Sequence, residues 1–95
     1  MFIVSLTYIC AFEEIEKHLA NHMNYLDRQY TAGKFLASGR KNPRTGGVIL
    51  AAADSRKELD IILSEDPFNV HNLANYEVTE FIVSKAKPEL HFLLE

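Results

Sequence analysis

The sequence predicts an α+β fold in which strands and helices follow in the order βαββαβ, giving one antiparallel sheet with both helices on the same face. Three observations carry that reading. Short stretches rich in β-branched and aromatic residues alternate with stretches whose apolar residues recur at every third or fourth position. Glycine, proline and asparagine gather at the junctions between them. The chain has 95 residues, and single cores divide only beyond roughly 250 residues, so residues 1–95 read as a single domain.

The first strand runs from Phe2 to Ile9, with Phe2, Val4, Leu6 and Tyr8 on one face and Ile3, Ser5, Thr7 and Ile9 on the other. Neither face is cleanly polar, as expected of a strand covered on both sides. From Phe12 to about Ala32, the spacing of Phe12, Ile15, Leu19, Met23, Leu26 and Tyr30 makes a single apolar stripe along a helix. Gly33 stands where the helix needs a residue able to take positive φ, and sets its end. Lys34 to Lys41 is the second strand, with Phe35, Ala37 and Gly39 alternating against Leu36, Ser38 and Arg40. Asn42-Pro43-Arg44-Thr45-Gly46 is a turn into a third strand, Gly47–Ala53, apolar on both faces. Ser55-Arg56-Lys57-Glu58 has the pattern of a capping box. Leu59, Ile62 and Leu63 form the buried side of the helix that follows, and Pro67 marks its end. Phe68 to Ala74 is a loop or a short turn of helix, Tyr76 to Val83 the fourth strand, and Lys87 to Glu95 a tail with Leu90, Phe92, Leu93 and Leu94. The plan is the split βαβ, ferredoxin-like topology.

Helices on one side leave the other sheet face open, although it carries apolar residues. The simplest cover is a second copy of the same sheet, so a homodimer through that face is expected. The competing cover is the apolar tail folding back. Ten basic against thirteen acidic side chains and a formal net charge of −3 argue against a nucleic-acid partner, which calls for a net-basic face. No apolar run reaches the roughly 18 residues of a membrane span. One cysteine, Cys10, builds no disulfide framework, and Met1–Cys10 lacks the basic start of a secretory signal, so the expected setting is cytoplasmic.

Among residues able to carry chemistry, His22 lies roughly 60° from the centre of the helical stripe, at the edge of the core. Such a border position suits a general base, whose pKa is set by partial burial and one neighbour. It equally suits a boundary histidine bonded to a carbonyl. Asp66 precedes Pro67, which restricts it to extended backbone and fixes its carboxylate. Facing an imidazole, a carboxylate selects the tautomer and stabilises the imidazolium; without one, Asp-Pro is a turn-initiating pair. His18 and His22 are four apart, the geometry of two metal ligands on a helix, but the pattern lacks the glutamate of a metalloprotease helix. Cys10 has no cation nearby in sequence to activate it and reads as structural. Arg40, Lys41 and Arg44 around the turn form a small basic cluster without a phosphate-loop pattern and read as a solvated hairpin.

The element order, Asp66-Pro67-Phe68, and a helical His22 followed by Gly33 and then Ser38-Gly39 together resemble the YciI-like (YCII-related) family, from Phe2 to about Val83. That family belongs to the dimeric α+β barrel superfamily. The resemblance implies a small enzyme of lyase or isomerase type that pairs His22 with Asp66 in a pocket and acts on a small substrate, an aromatic one being an option. Proton abstraction next to a carbonyl or phenol needs no metal or organic cofactor, and the sequence has no dinucleotide fingerprint, so none is expected. Ser38, Arg40, Tyr8, Phe68 and His71 are then the candidate substrate-binding residues, each with a bland counterpart as a strand-end, core or loop residue. The chain departs from the family pattern in three places. Leu19-Ala20-Asn21 stands where many members have Arg-Pro before the histidine, Gly39-Arg40 stands for Gly-Pro, and Asn72 stands for a glycine. A non-catalytic, ligand-binding or accessory dimer has the same composition. What separates the two is whether His22 and Asp66 share a hydrogen bond beside an open cavity.

Overall fold

The computed structural model describes residues 1–95. Its strands are β1 (Phe2–Tyr8), β2 (Phe35–Arg40), β3 (Gly46–Ala51) and β4 (Ala74–Glu80), and its helices α1 (Phe12–Thr31), α2 (Arg56–Ser64) and α3 (Pro67–Val70), with a 3-10 helix at Pro88–Leu93. The strands form one sheet in the order β2-β3-β1-β4, every pair antiparallel. The fold is α+β, the ferredoxin-like arrangement expected from the periodicities.

Register sorts the side chains. Val4 lies opposite Ile49 and Val78, and Leu6 opposite Gly47 and Tyr76. Partners across antiparallel strands project to the same side, so Phe2, Val4, Leu6, Ile49 and Ala51 share one face. They form the core with Ile15, Tyr25 and Leu26 of α1, with Leu59, Ile62 and Leu63 of α2, and with Phe68. α2 buries the residues its spacing predicts. Its cap is a variant of the expected box: Ser55 Oγ accepts from the Glu58 N–H at 3.1 Å, while the Glu58 carboxylate accepts from the Asp54 N–H at 2.9 Å.

α1 differs in the direction of its buried stripe. Ile15, His22, Tyr25 and Leu26 are buried, whereas Phe12, Met23 and Tyr30 are exposed. The helix is turned toward His22 and Tyr25 because both polar tips find partners. The Tyr25 hydroxyl donates to the Ile62 carbonyl at 2.8 Å, in the last turn of α2, where that oxygen also accepts the Glu65 N–H at 3.2 Å. α1 ends as expected, with Gly33 at φ 76°.

Three boundaries or faces differ from expectation. In β2 a register shift between Phe35 and Ala37 breaks the simple alternation. Phe35 pairs with Ala51, Ser38 with Ile49 and Arg40 with Gly47, so Phe35, Ser38 and Arg40 all lie on the helix side. A bulge inserts one residue and re-aims those that follow. β4 spans Ala74–Glu80 instead of Tyr76–Val83, since Asn72 at φ 60° turns the chain out of α3 and straight into the sheet. Pro67 begins α3 as well as following α2, at the first helical position where its missing N–H costs nothing.

The sheet face away from the helices is open. Ile3 and Val48 are each 39% exposed there. The tail does not cover it: Phe92 is 71% exposed, and Leu90 and Leu94 are exposed as well. Instead the tail closes on its own base, where the Val83 N–H donates to Glu95 Oε2 at 3.2 Å and the Glu95 N–H to the Val83 carbonyl at 3.3 Å.

Candidate functional site

Asp66 sits at the N-terminal cap of α3, and its carboxylate is fully buried. Extended backbone before Pro67 (φ −65°, ψ 124°) turns the side chain back over the first turn. Oδ1 accepts from the Phe68 N–H at 3.0 Å and pairs with His22 Nδ1 at 2.7 Å, and Oδ2 accepts the Tyr76 hydroxyl proton at 2.6 Å. Three donors from three elements therefore hold one carboxylate, which is how a buried charge is normally compensated.

His22 projects from α1 onto this carboxylate. Its ring lies flat on Phe68, centroids 3.9 Å apart and planes 8° apart, and Phe68 is braced edge-on by Tyr8 at 6.1 Å. A carboxylate acceptor on Nδ1 selects the tautomer protonated there and leaves the Nε2 lone pair free. Nε2 has no protein partner, yet no buried side-chain nitrogen or oxygen is left unpaired, so this nitrogen keeps accessible surface. His22 lines a cavity of about 260 Å³ together with Leu6, Leu19, Met23, Leu26, Ile49 and Phe68.

Two tyrosines enclose the pair electrostatically. Burial, followed by the negative charge and hydrogen bond of Asp66, pushes the Tyr76 phenol well above its ordinary value. Burial, then the charges of Asp66 and Glu65, do the same to Tyr25, against a smaller opposing effect of Arg28. Both phenols stay protonated, and Tyr76 acts as a fixed donor to Asp66.

Of the residues singled out from the sequence, His22, Ser38, Arg40, Tyr8 and Phe68 line the cavity, and Asp66 stands directly behind His22. Ser38 shares a 2.6 Å hydrogen bond with Tyr30, so its hydroxyl already has a neighbour at the mouth. His71 is not in the cavity wall. Its ring stacks on His18 at 4.0 Å, which takes both imidazoles out of the pocket; no cluster of three or more His, Cys, Asp or Glu residues suited to a metal ion is present. Cys10 lies against the Leu73 carbonyl, Sγ to oxygen 3.5 Å. Sequence reasoning missed Tyr76, although its register opposite Leu6 puts it on the helix face where a phenol must find an acceptor. It also missed Arg44, which lines the cavity with its guanidinium carbon 4.5 Å from the centre of the Phe12 ring.

The model of the YCII-related domain matches residues 1–82. The chain belongs to the YCII-related family. Two solved structures share its fold. One is 5-chloro-2-hydroxyhydroquinone dehydrochlorinase (TftG) from Burkholderia phenoliruptrix AC1100, in complex with 2,5-dihydroxybenzoquinone. It is 19% identical with a TM-score of 0.73, over 84% of this chain and 91% of that one. Another is SnoaB, a cofactor-independent oxygenase from Streptomyces nogalater, 18% identical with a TM-score of 0.50, over 92% and 94% of the two chains. No curated protein sequence matches the chain. No helix is long and apolar enough to cross a membrane.

Proposed function

We propose that this member of the YCII-related family is a small enzyme of lyase or isomerase type that moves a proton on a small, aromatic or enolisable substrate. One observation carries the reading: His22 is bonded through Nδ1 to a buried carboxylate at 2.7 Å and the same residue lines a cavity. In this scheme Nε2 removes a proton from the bound substrate and the ring becomes an imidazolium. Asp66 stabilises that charge through the bond it already makes, and Tyr76 and the Phe68 N–H hold Asp66 in place. The same imidazolium then returns the proton to a different atom of the substrate, or to a leaving group. No cofactor is part of the scheme, and SnoaB, by its name, is likewise cofactor-independent. TftG, a dehydrochlorinase seen with a dihydroxybenzoquinone, supports a substrate of similar size and shape.

A second copy over the open sheet face and a cytoplasmic setting, in keeping with the free thiol of Cys10, complete the proposal; nucleic acid has no part in it.

The test is solvent-deuterium exchange into a panel of hydroxylated and enolisable ring compounds, followed by proton NMR. His22→Ala is expected to exchange any active compound at least about 100-fold more slowly than the native protein, the lower end of general-base contributions. Equal exchange rates would remove His22 from the mechanism.

A further inference from the structure

The cavity is where the charge balance of the chain reverses. Acidic side chains outnumber basic ones thirteen to ten, yet no acidic residue lines the cavity, while Arg40 and Arg44 both do. Asp66 offers it nothing, being fully buried behind His22 with both oxygens engaged. Neither arginine forms an ion pair, whereas Lys17, Lys34 and Arg56 each have a carboxylate partner.

Backbone geometry explains how the two guanidiniums come to the cavity. Beyond the bulge in β2, Arg40 pairs with Gly47, and Gly47 with Leu6. Arg40 thus leaves the sheet on the face that carries His22, beside a residue with no side chain to separate it from the cavity floor. Arg44 comes from the turn between β2 and β3 and is steadied against Phe12 by a cation–π contact. Two cations without a carboxylate partner flank a pocket that His22 also lines.

We propose that Arg40 and Arg44 form a carboxylate-binding end of this cavity, and that its ligand is a single-ring monocarboxylic acid. A planar guanidinium matches the two oxygens of a carboxylate. The ring has an apolar wall available in Leu19, Met23, Leu26 and Ile49. A volume of about 260 Å³ falls below that of pockets for drug-sized molecules, which limits the ligand to one ring and its substituents. This assignment rests on the proposed function for the statement that the ligand is turned over, and on the arginines alone for its charge.

The experiment titrates benzoate and its uncharged counterpart benzamide into the protein at moderate salt, with binding followed by protein NMR. Benzoate is expected to bind at least about tenfold more tightly, the value of one charge-assisted hydrogen bond. The R40Q and R44Q variants should each weaken benzoate severalfold and leave benzamide unchanged, and the double variant should bind both equally. The two arginines are exposed, so the variants are expected to fold, and an unperturbed amide spectrum outside the cavity checks that they do. His22→Ala should keep the preference for benzoate while losing deuterium exchange, which separates failure of the anion site from failure of the proton-transfer chemistry. Equal affinity for the two probes in the native protein, no binding of either, or a preference that survives in the double variant would overturn the assignment.

Discussion

At the scale of single residues, Asp66 organises the site. His22, Tyr76 and the Phe68 N–H all point at one carboxylate with no access to water. The two phenols beside it have a measurable consequence. In the unfolded chain Tyr25 and Tyr76 ionise near the ordinary tyrosine value of about 10, whereas in the folded protein both are held higher, by burial first and by Asp66 next. The folded state therefore retains protons that the unfolded state gives up. Their contribution to stability is complete below about pH 10 and declines as pH rises above it, by at most about 1.4 kcal/mol per pH unit for each phenol. Urea denaturation at a series of alkaline pH values should show this decline. Tyr76→Phe should make the slope shallower and lower stability at neutral pH by about 1–3 kcal/mol, because Oδ2 of Asp66 loses its donor. An unchanged slope would mean that Tyr76 titrates normally.

Residue types announced part of this arrangement. A helical histidine and an aspartate held by a following proline are visible in the sequence, but nothing in His22 or Asp66 says that they meet across 44 positions. That contact depends on the rotation of α1. The apolar stripe misjudged it because Tyr25, which looks polar by its hydroxyl, is buried once the Ile62 carbonyl accepts its proton.

Secondary-structure elements were legible wherever periodicity governs them, as in α2 with Leu59, Ile62 and Leu63. They were less legible where a single backbone conformation decides. The shift in β2 has no glycine or proline at Leu36 to signal it, and it sends Arg40 and Ser38 toward the site side along with Phe35. Asn72, of a residue type that tolerates positive φ, moves the start of β4 by two residues. The hairpin between β2 and β3 gives a test at this scale. A Cβ on Gly46 would run into the Leu6 carbonyl, part of the neighbouring backbone, while a Cβ on Gly39 meets nothing within 4 Å. Gly46→Ala is therefore expected to destabilise the protein by about 3 kcal/mol or more, since backbone cannot step aside as a side chain does. Gly39→Ala should lie within about 0.5 kcal/mol of the native protein. Equal denaturation midpoints for the two variants would mean that β1 and β3 approach less closely than described.

For the whole molecule, the layered plan was legible because a sheet whose first and third strands are apolar on both sides cannot be covered by two helices on one face. What covers the second face depends on another surface, which one chain's alternation does not specify. The tail leaves Ile3 and Val48 open, so a second copy is the proposed cover. Sedimentation equilibrium at micromolar concentration should find a dimer, and Ile3→Glu, which puts a charge in the middle of that face, should shift it to monomer. A native chain that sediments as a monomer would sink the proposal.

The imidazole of His22 is clamped between a ring below and an acid behind, and offers a single nitrogen in a single direction. A guest molecule meets this base from one side only. Under the proposed chemistry, hydrogen lifted from one prochiral face must be set down on that same face. Stereospecific labelling would then show suprafacial transfer, with part of the original isotope carried from donor carbon to acceptor carbon before it can escape to solvent.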